Sequence, residues 1–269
     1  VRFRNLAINL GAIAILAAIA LSLQLPKLNQ HLLGQTLEDT RKGVIDEEAR
    51  LKLIRQLPMR GLGFNNMIAN FTFLQFLQYF GDDTARNYFQ TGYSLSPRYF
   101  ENIVDRDPRF INSYLYMSAS VSMFAAVPSE AISLYTKGIR SLDPNKQSTA
   151  YTVWRRKATD QLLFLGDAKG ARDSYLKAAE WAEQSKATDK TFEDPQLVAQ
   201  ISRQSAKWLE EERDLTKAQI ASWSIVLRNA TDKKTLETIS KELDKLGMRI
   251  EIENDLPVIV PKNSPQIKS

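Results

Sequence analysis

Two triplets set the strongest constraint on what this chain can fold into: Ala171, Tyr175 and Ala178, and Ala131, Tyr135 and Gly138. Both follow the spacing small-x3-aromatic-x2-small, which on a helix places the three residues on one face. Small side chains let two helices approach closely, and the ring fills the groove between them. Ala218, Ser222 and Ile225 hold equivalent positions further on. A helix built this way cannot bury its face alone. It needs a helical partner, and the pair needs neighbours.

The flanking sequence supplies those partners. Helices are expected near 46–57 (Asp46 as N-cap, Leu51, Ile54 and Leu57 on one side), over 61–83, and from Ser96 to Asp107. Further ones are expected over 111–127, 129–142 (Ser129 as cap), 151–166, 167–185, 194–213 and 232–247. Asp107-Pro108 recurs as Asp143-Pro144 at a spacing of 36 residues, each pair punctuating two apolar helices. In 61–83 the stripe Phe64, Met67, Ile68, Phe71, Leu74, Leu77 and Tyr79 is joined by a second face of Phe73, Phe76 and Phe80. This reads first as a central core helix, and second as a helix against lipid or a partner. The amphipathic helix 232–247, with Leu236, Ile239, Leu243 and Leu246 on one face, is expected to cap the stack. Residues 248–269 read as an extended or partly disordered tail, whose Val-Ile-Val stretch could also add onto a partner sheet.

These residues resemble the tetratricopeptide-repeat (TPR) superfamily. The resemblance spans roughly 64–230, is closest over 151–182 and fades over 194–230. It departs at Gly138, where alanine is usual, and through one-residue insertions in the first unit. A generic array of helical hairpins is the alternative. With the aromatic FLQFLQYFGDD and YFENIVDRDPRF segments and the amino-terminal run, the chain also looks like single-span TPR membrane proteins of cyanobacteria.

That run is Leu6–Leu25, uncharged throughout and ended by Pro26. As a helix it would be about 30 Å long, the thickness of a bilayer core. Two readings compete: an uncleaved signal anchor, which its length favours, and a signal peptide with Ala20-Leu21-Ser22 as a poor cleavage site. Arg2 and Arg4 precede it, which favours the short tail inside and the rest of the chain on the lumenal or periplasmic side. The expected architecture is all-α: an anchor over 1–26, a juxtamembrane linker and helix over 27–60, a TPR-like helical-hairpin solenoid over 61–247, and the tail over 248–269.

Composition removes much chemistry. The chain has no cysteine and one histidine, His31, which excludes disulfides, thiolate catalysis, cysteine-based zinc sites and sites needing two histidines. A Walker loop is absent; Gly61-Leu62-Gly63 is a hinge without a preceding strand or third glycine. Asp82-Asp83 and Glu210-Glu211-Glu212 lack calcium-loop spacing. The net charge of +5 is too modest to argue for nucleic acid. No enzyme, cofactor or metal site is therefore expected.

What the resemblance implies is binding of a partner segment in a concave groove lined by the first helix of each hairpin. Its register sends Asn112, Leu115, Ala119 and Ser122 to the groove in one unit, Val153, Arg156 and Asp160 in the next, and Gln200, Arg203 and Lys207 in the third. Arg156, Arg203 and Lys207 would form a basic inner stripe suited to an acidic or C-terminal carboxylate peptide. The expected function is a membrane-anchored interaction scaffold for assembly or stabilisation of a membrane protein complex. The cyanobacterial resemblance implies a thylakoid or plasma membrane and photosynthetic clients. A stoichiometric accessory subunit of a large complex is the alternative, followed by an envelope enzyme. Expected partners are subunits of that complex, or their segments, and lipid through residues 6–25.

Overall fold

The computed structural model describes residues 22, 37–57, 63–82, 90–186, 194–211, 214–253 and 256–264. The chain forms two compact units, Val1–Ile45 and Asp46–Ser269, and the fold below is that of the second. Apart from Ser22, the apolar run 6–25 lies outside the described residues, as does His31. Among the described residues no helix is long and apolar enough to cross a membrane.

Helix α1 is Leu37–Gln56. It starts nine residues before the expected Asp46 cap, because 37–45 contains no proline and a single interior Gly43 costs a helix only about 1 kcal/mol. Helix α2 (Asn65–Phe80) turns Ala69, Thr72 and Phe76 inward. Phe76 is fully buried and meets the rings of Phe100 and Tyr99 edge-on at 4.7 and 5.8 Å. The face expected to be the main stripe, Phe64, Met67, Phe71 and Leu74, is the exposed one. The reading of α2 as a central core helix is thereby corrected in part: Phe73, Phe76 and Phe80, with Tyr79 on Tyr99 at 5.1 Å, carry the aromatic packing, while Ile68 and Leu77 are half-buried.

Helix α3 (Ser96–Arg106) packs on α2 and α1. Asn102 reaches the Leu51 carbonyl of α1 at 3.2 Å. Next come α4 (Ile111–Met117), continuing as a π-helical segment Ser118–Phe124, and α5 (Pro128–Ile139). Pro128, not Ser129, opens α5: its missing N–H costs nothing in a first turn. Helix α6 (Tyr151–Asp160) likewise continues as a π segment, Gln161–Leu165. Single-turn π geometry absorbs one extra residue in a helix.

Helix α7 (Ala168–Glu183) is the centre of the array. Asp167 caps it, accepting from the Gly170 N–H at 2.9 Å. Its alanines do what their spacing requires. Ala171 and Tyr175 pack with Ala158 of α6 and with Ala206 and Leu209 of α8 (Pro195–Glu211). Ala179 and Ala182 pack with Tyr151, Val198 and Ala199. The Tyr175 ring is buried, with its hydroxyl 3.2 Å from that of Thr159.

Gly138 stands where alanine was expected because Tyr114 occupies the space. An added Cβ would collide with the Tyr114 hydroxyl, which donates to the Pro108 carbonyl at 2.9 Å.

The third expected hairpin does not form. Helix α9 (Thr216–Asn229) leaves α8 and puts Trp223, Val226 and Leu227 against Ala126 and Phe164, beside the two π segments. Helix α10 (Lys233–Lys245) follows it, with Ile239 and Leu243 in the same cluster. It packs on α9, the helix that precedes it. The tail is not loose through Ser264: β1 (Met248–Glu253) and β2 (Leu256–Pro261) form an antiparallel hairpin, Ile250 opposite Ile259. Met248, Ile250 and Ile259 pack against the α9–α10 cluster. The Val-Ile-Val stretch thus pairs within its own chain.

Gly138→Ala should lower the melting temperature, since overpacking by about 1–3 kcal/mol outweighs a helix-propensity gain of about 1 kcal/mol. Adding Tyr114→Phe should recover part of the loss. A melting temperature that rises with Gly138→Ala contradicts this packing.

Candidate functional site

The structure separates the residues that the repeat register sends to one groove. Asn112, Arg156, Gln200, Arg203 and Lys207 are exposed, and Leu115 is half-buried. Ser122, Val153 and Asp160 are buried and offer nothing to a partner. Ser122 lies inside the first π segment, where the helical register shifts, whereas Val153 and Asp160 precede the second one and sit on the side of α6 that packs inward.

Asp160 sits where the two π segments approach. Its carboxylate accepts from the Ser118 hydroxyl at 2.5 Å and from Ser122. Burial raises its pKa from 3.8 to about 6, against the lowering effect of the two hydroxyls and of the Arg156 charge. This is a structural node that ties α4 to α6. The basic stripe is also divided: Arg156 acts on Asp160, while Arg203 makes a two-pronged pair with Glu183 of α7, both contacts 2.7 Å. Arg203 in turn holds the Glu183 carboxyl below its ordinary range by that hydrogen bond.

What the register reading missed lies between its own choices. On α8, Leu197, Ile201 and Trp208 are exposed, Leu197 by 49% and Trp208 by 46%. With Gln204 they repeat at spacings of four, three and four, which is the seam of a helix awaiting another helix. The opposite side of α8 is spent on α7 through Val198, Ala199, Ala206 and Leu209. Gln200, Arg203 and Lys207 flank the seam on one side. The signal was in the sequence as a second apolar period on 194–213, hidden by the small residues that match the repeat.

The site thus combines an apolar row with a polar, partly basic margin. Among the described residues no group of three or more His, Asp or Glu could hold a metal ion. Compared with protein-family models, curated proteins and solved structures, the chain matches none, and the functional reading rests on the residues themselves.

The Asp160 node carries its own pH signature. An acid whose folded pKa lies above its unfolded value contributes most below about pH 4, and the contribution is lost as pH rises through about 6. Asp160→Asn should gain stability relative to wild type across that window, by on the order of 3 kcal/mol at most. Denaturant unfolding at pH 4 and pH 7.5 tests it. A wild-type-to-variant difference that does not move with pH contradicts the buried carboxylate.

Proposed function

We propose that this chain is a membrane-anchored helical scaffold that holds a helical segment of a membrane-protein partner, and so aids assembly or stabilisation of a membrane complex. The observation that carries this reading is the seam Leu197–Ile201–Gln204–Trp208 on the outermost face of the α6–α7–α8 stack. Exposed large apolar side chains in line are unusual for water-facing helices and mark interaction sites.

The partner chemistry follows from the margin. An amphipathic helix would lay its apolar side along the row, with Trp208 as the large anchor. Acidic residues on its flank would meet Lys207. The same acidic preference is what the TPR resemblance implies for the groove; here it is secondary to the apolar contact. Anchoring through residues 6–25 would raise the effective concentration of a client in the same membrane, so a modest seam suffices.

The test is affinity isolation of the full chain from solubilised membranes, comparing wild type with Ile201→Glu/Trp208→Glu. Both positions are solvent-exposed, so helicity should be unchanged by circular dichroism. Companions that co-isolate with wild type should drop by about tenfold or more in the variant. Undiminished recovery of the same companions contradicts the seam. Arg203→Gln alone should have a small effect, because Arg203 is already engaged by Glu183.

A further inference from the structure

We infer that the outer face of α2, continued by the end of α1, rests on the headgroup–acyl boundary of a bilayer. The inference rests on the reading of the chain as membrane-anchored, and adds to it a lipid-contacting surface on the folded unit.

The face is built as follows. Phe64, Met67, Phe71 and Leu74 recur at spacings of three, four and three on the side of α2 opposite Phe76, and each is 46–59% exposed. The fold does not need them, because Ala69, Thr72 and Phe76 already make the inward contact. Leu53 and Leu57 of the α1 end are exposed too, and the cations beside them are already paired, Lys52 with Glu48 and Arg55 with Glu101 and Asp105. The two leucines belong to the same corner. The Arg106 guanidinium donates to the Ile54 and Leu57 carbonyls, both at 2.7 Å, and to the Asn65 side chain at 3.2 Å. One buried group therefore holds the last turn of α1 against the first turn of α2.

The margin of the α2 part of this face decides its occupant. No charged residue occurs from Gly61 to Gly81, in a chain that is 25% charged. The exposed polar side chains of α2 are the amides Asn66, Asn70 and Gln78. A protein–protein patch has a rim that meets water and carries charge, as the α8 seam does. A helix lying in the bilayer boundary has no such rim on its lipid side, and charges there are costly. At 16 residues, α2 is about 24 Å long, short of the roughly 30 Å hydrocarbon core, so it lies along the surface rather than across it. The cationic face that draws interfacial helices to anionic lipid is missing, so the contact is apolar and indifferent to lipid charge.

The absence of cysteine makes the test clean. The full chain with Phe71→Cys, or separately with Lys207→Cys, is labelled with an environment-sensitive dye and reconstituted into phosphatidylcholine vesicles containing lipids with a nitroxide near the headgroup. The label at position 71 should be blue-shifted and quenched by the nitroxide, equally with and without phosphatidylserine. The label at 207 should be neither. A label at 71 as wet as that at 207, on vesicles that carry the protein, overturns the inference. So does a blue-shifted but unquenched label, which would mean that protein, such as a second copy, covers the face. Quenching confined to phosphatidylserine vesicles overturns its apolar basis. Failure of the unlabelled chain to float with vesicles instead removes the anchored reading itself.

Discussion

The arrangement of the amino-terminal helices depends on one buried cation. Arg106 closes α3 and sends its guanidinium back to the carbonyls of Ile54, Arg55 and Leu57 and to Asn65. The last carbonyls of any helix lack intrahelical partners and carry partial negative charge. A guanidinium has five donors in a fixed plane and satisfies several of them at once. Burying such a charge is tolerable only because its donors are spent on backbone and amide acceptors. With α1 ended and α2 begun at the same point, Phe76 can reach Tyr99 and Phe100, and the opposite face of α2 is left outside.

Much of this was readable in residues. The small–aromatic–small spacing foretold which side of α7 meets α6 and α8, and Ala171, Tyr175 and Ala178 are buried as it requires. Three things were not readable. The π segments leave no mark in hydrophobic periodicity, because apolar spacing does not tell an i→i+5 turn from an i→i+4 one. The departure of α9 places Trp223 edge-on to Phe164 at 5.8 Å, a long-range contact that spacing within 194–230 does not encode. The outward turn of the Phe64–Leu74 stripe was hidden because both faces of α2 are apolar, and periodicity alone cannot choose between them. At the candidate site, Gln200, Arg203 and Lys207 were found through the repeat register. The apolar row beside them was not, since the register only asked where small residues fall.

Two exposed apolar rows remain, and they differ in kind. The α8 row carries a polar and basic margin and sits on a helix whose other side is fully used. The α2 row has amides only. A chain that expects water on both surfaces gains nothing from either. Under the proposed function the difference sorts them: one surface for another polypeptide, one for lipid, with α3 to α7 as the rigid body between. Rigidity there comes from close helix approach at alanine and glycine, where Gly138 admits Tyr114 and Ala171 admits the α6 backbone, and from the Asp160 node between the π segments.

The central claim is that Arg106 sets the presentation of α2. Amide hydrogen exchange on the full chain with Arg106→Met tests it most directly. Lost donors leave buried carbonyls unpaired, at about 1–3 kcal/mol each. The amides of α2 and of the last turn of α1 should then exchange about tenfold or more faster, while α6, α7 and α8 keep their wild-type rates. Unchanged exchange across α2, or a uniform rise over the whole unit, would contradict the account.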